Sequence, residues 1–357
     1  MPLHPDSPFA KLMAQATALT RRGSLAEATQ AIQRALHLQR STAAPAEPAD
    51  TGDVVVLDGL VREIVTPEPE ADAPPVTPPQ PASFDELPFA TAQGLRHYKL
   101  FTPAGLPDRP APLVVMLHGC KQNPDDFAAG TRMNELAQAQ GFRVLYPAQP
   151  PRSNASRCWN WFQPGDQKRG AGEPALLAAI TRHVMQTHAV DGQRVYIAGL
   201  SAGGAMSVIM AHEYPDLFAA VGVHSGLPQG AAHDVATAFA AMKHGPRGAP
   251  KVIDTTRVPM IVFHGDLDAT VHPANSEHLV AGHSASEVEQ GSVDSGRGFE
   301  RTSYRDASGR LVAEHWLVHG SGHAWSGGSA KGSFTDPQGP DASREMLRFF
   351  LQQRLKG

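Results

Sequence analysis

Short apolar runs and amphipathic segments alternate along most of this chain. Continuous apolar runs are typical of strands buried on both faces, whereas apolar residues at intervals of three and four predict helices. From residue 84 onward the two patterns take turns, which predicts an α/β body with a mostly parallel central sheet and helices on both faces. Strands are expected at residues 96–101, 113–117, 142–146, 194–198, 219–223, 260–263 and 315–318.

Helices are predicted between these strands and at the end of the body. They cover residues 125–140, 173–188, 205–214 and 343–355. Residues 149–172 follow neither pattern and are rich in Pro, Asn, Arg and Gly. A loop of this length inside a compact domain usually has a functional role. The body of residues 84–357 is therefore the expected catalytic domain.

Two further segments precede the body. Residues 1–40 carry apolar residues at helical spacing, and Ser24 with Glu27 has the spacing of a capping box, so two short amphipathic helices are expected. Such a pair packs on its own body or docks to a partner, and the sequence leaves both open. Residues 41–83 are rich in proline and predict an extended linker, with one apolar island at residues 53–65.

Composition and charge exclude several classes of function. Lysine plus arginine (31) nearly balances aspartate plus glutamate (35), so no broad basic face for nucleic acid is expected. The apolar runs are far shorter than the roughly 20 residues that span a bilayer, and no membrane span is expected. Residues 1–23 lack the basic and continuous apolar regions of a standard signal peptide.

The chain contains two cysteines, Cys120 and Cys158. Two are too few for a disulfide framework or for a zinc site with four cysteine ligands. They are either two buried thiols or one bridge, and their spacing does not decide between these states.

The pentapeptide GLSAG at residues 199–203 joins a predicted strand to a predicted helix. This is the context of a nucleophile elbow, in which Ser201 stands on a sharp turn whose flanking positions have no room for side chains. Alone, the pentapeptide is also compatible with an ordinary small-residue turn. The rest of the chain must decide between the two interpretations.

A serine nucleophile needs a histidine to accept its proton and a carboxylate to orient that histidine. On a sheet of this kind they follow in the order serine, acid, histidine, each after a strand. The acid is expected after residues 260–263, where Asp266 and Asp268 are both candidates that chemistry does not separate. His323, at the tip of a glycine-rich loop, is the expected histidine, and His319 is its rival.

Ester hydrolysis also needs two backbone amides that bind the developing negative charge on the carbonyl oxygen. One is expected from Ala202, the residue after the nucleophile. The other is expected from Cys120, in the glycine turn that ends the strand of residues 113–117. Taken alone, this glycine turn is also explained as an ordinary turn after a strand. Because it is followed along the chain by the nucleophile elbow and the late histidine loop, the order of the three elements favours an oxyanion hole.

Five motifs occur in a fixed order along the body, at residues 117–122 (LHGCKQ), 158–161 (CWNW), 199–206 (GLSAGGAM), 264–271 (HGDLDATV) and 322–323 (GH). Together they resemble the motifs of the short-chain polyhydroxyalkanoate (poly-3-hydroxybutyrate) depolymerase esterases, which have an α/β-hydrolase fold. The resemblance covers residues 84–357 and implies that Asp268 is the acid of the catalytic triad. It also implies a disulfide between Cys120 and Cys158, next to the oxyanion turn.

The same resemblance implies a substrate groove lined by tryptophans of residues 158–161. The candidate substrate-binding residues are Trp159, Asn160, Trp161 and the later Trp325. Aromatic side chains in such a groove can stack on a phenolic acyl group or a sugar, whereas packing in the core is the alternative for each tryptophan. The chemistry of a serine, a histidine and an aspartate requires no metal or organic cofactor.

These features predict a serine esterase that hydrolyses esters of short-chain hydroxyalkanoates. Because no polymer-binding module follows the closing helix, amorphous polymer, oligomers or small esters are the expected substrates rather than crystalline polymer. A feruloyl or acetylxylan esterase is the alternative within the hydrolases. A non-catalytic protein that binds a polymer or a partner on a hydrolase scaffold is the alternative from another class.

The expected location depends on the two cysteines. A bridge favours an oxidising compartment outside the cytoplasm, although no standard signal peptide is visible and a cytoplasmic location is the alternative. The oligomeric state is not predicted by the sequence.

Overall fold

The computed structural model describes residues 81–355 except 92–93, 107–108, 248–256 and 295, and before them only residues 11, 15, 17, 18 and 22. The chain divides into two compact units, Met1–Pro74 and Pro75–Gly357. Nearly all of the helix pair of residues 1–40 and of the linker of residues 41–83 lies outside the described residues. Both therefore stay predictions.

Ten strands of the second unit form one sheet, in the order β1-β2-β4-β3-β5-β6-β7-β10-β9-β8. They are β1 (Ser83–Thr91), β2 (Gly94–Thr102), β3 (Ala111–Leu117), β4 (Arg143–Pro147), β5 (Val190–Leu200), β6 (Ala220–His224), β7 (Met260–Gly265), β8 (Glu287–Ser292), β9 (Gly298–Arg305) and β10 (Leu311–Val318). Two short strands, β11 (Trp325–Ser326) and β12 (Thr335–Asp336), pair separately. The helices are α1 (Pro124–Thr131), α2 (Met133–Gln140), α3 (Gly172–Thr187), α4 (Ala202–Glu213), α5 (Val235–His244), α6 (Ala274–Val280) and α7 (Ala342–Phe350).

The centre of the sheet is parallel, from β4 through β3, β5, β6 and β7 to β10. Antiparallel strands complete both edges, β1 and β2 on one side and β8 and β9 on the other. Every residue of β3, β4, β6 and β7 is buried. The predicted α/β architecture is confirmed, and the apolar runs lie where strands are covered on both faces.

Side chains that alternate along a strand point to opposite faces of the sheet. In β3, Leu113, Val115 and Leu117 join one apolar cluster, whereas Val114 and Met116 join a second. The sheet therefore separates two cores, and the carboxyl ends of its parallel strands meet at one edge.

The structure differs from the predicted elements in two places. The helix expected over residues 125–140 is two helices, because Arg132 has a left-handed backbone (φ 56°) that ends α1 and precedes α2. The closing helix ends at Phe350 rather than at residue 355, and the chain then turns so that the Leu355 amide donates to the Gln193 carbonyl. Besides these two helices, the structure contains elements that the sequence pattern does not predict: the strands β1, β8, β9, β11 and β12 and the helices α5 and α6.

Candidate active site

Ser201 lies between β5 and α4 with a backbone of φ 58° and ψ −118°, a conformation that side-chain-bearing residues rarely adopt. The turn is sharp, since a Cβ at Gly199 would lie 2.4 Å from the carbonyl carbon of Gly203. A Cβ at Gly203 would lie 2.1 Å from the Leu117 oxygen of β3. Only glycine fits either position, which is the steric reason for the GLSAG pattern.

Asp268 and His323 come together from the loops after β7 and β10. The His323 Nδ1 lies 2.7 Å from the Asp268 Oδ2. The other carboxyl oxygen accepts hydrogen bonds from the amides of Thr270 (2.9 Å) and Val271 (2.8 Å). The Asp268 side chain is fully buried, while 11% of the His323 side chain is exposed. An ionised, fixed carboxylate thus holds a histidine that solvent and substrate can reach.

The rival candidates, Asp266 and His319, form their own pair nearer the surface. The His319 Nδ1 lies 3.1 Å from the Asp266 Oδ2, and the Gly320 amide donates to the Asp266 Oδ1 at 2.7 Å. Neither residue lines the cavity that contains Ser201, whereas His323 does. The structure therefore separates the two aspartates, which sequence chemistry alone left equal.

His264, at the end of β7, is a contact of the acid that the sequence analysis missed. Its fully buried ring donates from Nε2 to the Val271 carbonyl at 2.7 Å, and the same nitrogen lies 3.4 Å from the Asp268 Oδ2. Burial by itself raises the pKa of Asp268, but hydrogen bonds from His264 and His323 hold it well below its usual range. The spacing of four residues between His264 and Asp268 is the only sequence signal for this contact.

Two other buried histidines are structural. The Ser326 amide donates to the His224 Nε2 at 2.9 Å, and the Gln149 amide donates to the His118 Nε2 at 3.2 Å. An imidazole nitrogen that accepts a hydrogen bond carries no proton, so both rings are neutral. In agreement, burial lowers the pKa of His224 to about 3 and that of His118 to about 4.

The amides of Cys120 and Ala202 are available to a ligand. Among the described residues, no hydrogen-bond acceptor takes either amide. The turn that carries Cys120 is fixed on both sides, because the Gly119 amide donates to the Gln122 side chain (2.9 Å) and the Lys121 amide to the Ser156 carbonyl (2.7 Å). Ala202 is the first residue of α4, where the helix dipole adds positive potential.

Cys120 and Cys158 form a disulfide, as the resemblance implied. The bond joins the turn after β3 to the long loop of residues 149–172. The loop is also fastened to α3, since the buried Glu173 carboxyl accepts from the Asn160 amide and the Asn160 side chain, each at 2.7 Å. Burial raises the pKa of Glu173 to about 7.

A cavity of about 700 Å³ opens above Ser201 and also contains His323 and Cys120. Of the four candidate substrate-binding residues, the structure places only Trp161 in its wall. The apolar wall of the cavity consists of Trp161, Phe162, Leu200, Val235, Ala238, Phe239, Met242 and Phe334.

Trp159, Asn160 and Trp325 do not line the cavity. Trp159 is buried and its Nε1 donates to the His118 carbonyl at 3.1 Å. Trp325 is buried against Phe127, and its Nε1 donates to a serine hydroxyl of α7 at 3.0 Å. The N–H group of each indole has a hydrogen-bond partner inside the protein, as expected for a buried tryptophan. These two tryptophans therefore pack in the interior beneath the site and do not face a ligand.

The described residues contain neither a candidate metal site nor a candidate membrane span. Within residues 81–355, as far as they are described, no three side chains of His, Cys, Asp or Glu are grouped so that they can hold a metal ion. None of the described helices is long and apolar enough to cross a membrane.

The sequence matches a known protein family. Residues 96–295 match the profile of the family described as Esterase PHB depolymerase. Poly(3-hydroxyalkanoate) depolymerase C of Paucimonas lemoignei is 33% identical over 250 residues, which cover 66% of this chain and 60% of that protein. Feruloyl esterase B of Thermothelomyces thermophilus is 32% identical over 198 residues, which cover 51% of this chain and 67% of that protein.

Among solved structures, the acetyl xylan esterase from Aspergillus awamori superposes with a TM-score of 0.60 at 19% identity, covering 76% of this chain and 99% of that one. At this identity the likeness concerns the fold alone, and it confirms the α/β-hydrolase fold that the motifs implied. The chain spans about three fifths to two thirds of the length of the first two relatives.

Proposed function

The chain belongs to the PHB depolymerase family of esterases, and we propose that it hydrolyses carboxylic esters through an acyl-enzyme on Ser201. The observation that carries the proposal is one cavity that contains Ser201, His323 and Cys120, with the buried Asp268 behind His323. Such an arrangement provides a nucleophile, a base with a fixed orientation and a donor for the oxyanion.

In the proposed reaction the Ser201 hydroxyl attacks the ester carbonyl carbon while its proton passes to the His323 Nε2. Asp268 stabilises the imidazolium, and the amides of Cys120 and Ala202 bind the negative oxygen. The C–O bond to the alcohol then breaks, and His323 returns the proton to the departing alkoxide. Water then attacks the acyl-enzyme while its proton passes to His323. The bond to the Ser201 Oγ breaks, His323 returns the proton to that oxygen, and the acid leaves. All steps use protein groups and water alone.

Short-chain hydroxyalkanoate esters, as oligomers or amorphous polymer, are the substrates that we propose. The P. lemoignei relative is named a poly(3-hydroxyalkanoate) depolymerase, and the wall of the cavity is largely apolar. A volume of about 700 Å³ lies within the range of about 300 to 1,000 Å³ typical of small-molecule sites. Such a cavity accommodates a few monomer units better than a crystalline surface.

A feruloyl or acetylxylan esterase is the second candidate. Trp161 lies in the cavity wall and packs edge to face with Phe162, with ring centroids 5.8 Å apart. This pair offers an aromatic surface on which a phenolic acyl group can stack. The T. thermophilus relative, which is named a feruloyl esterase, supports the same candidate.

The activity is tested by comparing Ser201→Ala with Ser207→Ala on p-nitrophenyl butyrate. Ser207 is a buried serine of α4 that donates to the Gly203 carbonyl at 2.8 Å, so it controls for general effects on that helix. We expect the Ser201 variant to lose activity by about 10³-fold or more, because the nucleophile is gone, and the Ser207 variant to stay active. Full activity of Ser201→Ala contradicts the proposal and favours a non-catalytic binding protein.

The substrate is tested by comparing kcat/KM for linear 3-hydroxybutyrate oligomers with kcat/KM for methyl ferulate. A higher value for the oligomers supports the hydroxyalkanoate assignment. A higher value for methyl ferulate moves the assignment to the feruloyl esterases and leaves the mechanism unchanged.

We also propose a location outside the cytoplasm, supported by the disulfide between Cys120 and Cys158. Intact mass measurement after thiol alkylation tests it on protein purified from its native cells. The oxidised form supports the location, whereas two alkylated thiols contradict it.

A further inference from the structure

The cavity has one cationic corner, next to the oxyanion turn. Lys121 follows Cys120 directly and lines the cavity together with Ser201. Among the described lining residues, Lys121 is the only lysine or arginine, and no aspartate or glutamate is present. The corner therefore places a permanent positive charge in a wall that is otherwise apolar or neutral.

A second cation stands on the segment that is fastened to this turn. Arg157 precedes Cys158, and the disulfide and the hydrogen bond from the Lys121 amide to the Ser156 carbonyl (2.7 Å) join the two segments. Lys121 and Arg157 both have left-handed backbones, with φ of 65° and 54°. Such conformations are uncommon for residues with side chains, so the surrounding bonds hold the backbone of both residues in place.

Neither cation is neutralised by a described acid. Across the described ranges, no carboxylate forms an ion pair with Lys121 or Arg157. Asp126, in the helix that follows the turn, instead accepts hydrogen bonds from the Gln122 amide group (2.9 Å) and from the amide and hydroxyl of Ser333 (2.8 and 2.6 Å). It does not line the cavity.

We propose that Lys121 forms a subsite for the terminal carboxylate of a hydroxyacid oligomer. This inference rests on the proposed esterase function and names which of its substrates the cavity selects. A linear oligomer is apolar along its length and ends in one carboxylate, and the cavity pairs an apolar wall of Trp161, Phe239 and Phe334 with one cationic corner. A neutral ester of the same length gains nothing from that corner.

The subsite gives a preference for chains with a free carboxyl end. A carboxylate that meets the Lys121 ammonium forms a charge-assisted hydrogen bond, which is stronger than a neutral one. Because Lys121 is exposed to solvent, salt screens the attraction. The preference is therefore expected to be moderate and to weaken as the ionic strength rises.

The test compares two substrates with the same scissile ester, the linear 3-hydroxybutyrate dimer and its terminal methylamide, at pH 7.5. In the full chain we expect a higher kcat/KM for the carboxylate form. In Lys121→Gln the ratio of the two kcat/KM values should fall by about two- to fivefold, the upper part of the range for an exposed ion pair. Lys121→Arg should retain most of the ratio, because its positive charge remains.

Lys168→Gln is the matched control, since Lys168 lies in the loop of residues 149–172, which the disulfide joins to the turn of Lys121, but does not line the cavity. Its ratio should equal that of the unmodified chain. Turnover of the methylamide shows that each variant is folded, and the salt dependence of the unmodified chain gives a second measurement without any substitution. A ratio that changes neither in Lys121→Gln nor with salt overturns the subsite while the esterase assignment stands. Failure to hydrolyse either dimer, with p-nitrophenyl butyrate still hydrolysed, overturns the hydroxyalkanoate assignment and the subsite but not the esterase function. Failure on all three substrates overturns the esterase function as well.

Discussion

At the scale of single residues, the site depends on groups whose conformation or burial is unfavourable in isolation. The backbone of Ser201 lies at positive φ, a strain that costs on the order of 1–3 kcal/mol. The Ser201 amide donates to the His224 carbonyl at 2.9 Å. The close packing of Gly199 and Gly203 against neighbouring backbone restricts the turn to this conformation. The buried Asp268 carboxyl is compensated by two amides and two imidazoles.

His264 should be important for the acid, although it does not reach the cavity. In His264→Leu the pKa of Asp268 should rise, because one donor to the buried carboxylate is lost. In the unmodified protein the ionised Asp268 stabilises the fold at pH values above the pKa that it has in the unfolded chain. This contribution is lost as pH falls through the lower pKa of the folded state. Because that pKa is higher in the variant, the variant should unfold at a higher pH than the unmodified protein. We also expect kcat/KM to fall, because the carboxylate that orients His323 loses a contact that fixes it.

Acid unfolding followed by circular dichroism, together with kcat/KM, checks this expectation. His264→Gln keeps a side-chain N–H donor and should recover part of both losses. Equal acid stability and activity in the Leu variant would show that His264 only fills space.

The sequence could propose Ser201 and His323 from strand order, which restricts where a nucleophile and a base can stand. It left Asp266 and Asp268 equal, and only the family resemblance favoured Asp268. It could not find His264 as a donor to the acid, since that contact depends on how the loop of residues 266–271 folds back over the end of β7. The four substrate-binding candidates show the same limit. Whether a tryptophan lines a cavity or fills the core is decided by tertiary packing, and only Trp161 lines it.

At the scale of elements, the long loop of residues 149–172 is held to the body by two fastenings, the disulfide and Glu173 at the start of α3. The apolar strands of the parallel centre could be predicted because burial on both faces gives continuous apolar runs. The edge strand β8 could not, since it exposes most of its residues and carries no such run. The backbone of Arg132 likewise gives no signal in the amphipathic pattern that spans α1 and α2.

Glu173 should make the stability of the protein depend on pH. Burial raises its pKa from an ordinary 4.5 to about 7, so between these values the folded state keeps a proton that the unfolded state has lost. The free energy of unfolding should therefore decrease as pH rises through this window, and stay level above it. Glu173→Gln cannot titrate and should lack this decrease.

Urea denaturation of both proteins at pH 5 and pH 7.5 measures the effect. From pH 5 to pH 7.5, the free energy of unfolding should decrease more in the unmodified protein than in Glu173→Gln. Parallel pH dependence in the two proteins would mean that Glu173 stays ionised throughout.

At the scale of the whole molecule, the oxyanion turn and the long loop belong to different parts of the chain, and the disulfide links them across 38 residues. Closing a loop of this length removes conformations from the unfolded chain. The architecture thus couples the stability of the protein to the position of a proposed catalytic amide, that of Cys120.

Cys158→Ala should destabilise the protein by about 4 kcal/mol, the chain-entropy effect of a loop of this length. Cys120→Ala should cost a similar amount, because either substitution removes the same bond. Denaturant titration of both variants and of the unmodified protein under oxidising conditions gives the comparison. A loss well below 1 kcal/mol in both would show that the bond does not stabilise the fold.

The central claim is that Ser201 is a nucleophile activated by His323. Its most direct test is labelling with a fluorophosphonate, followed by peptide mass mapping of the full chain and of His323→Ala. We predict one adduct, on Ser201, and labelling slower by about 10³-fold or more in the variant, since the base that accepts the serine proton is absent. An adduct on another residue, or equal labelling rates in both proteins, would contradict the claim.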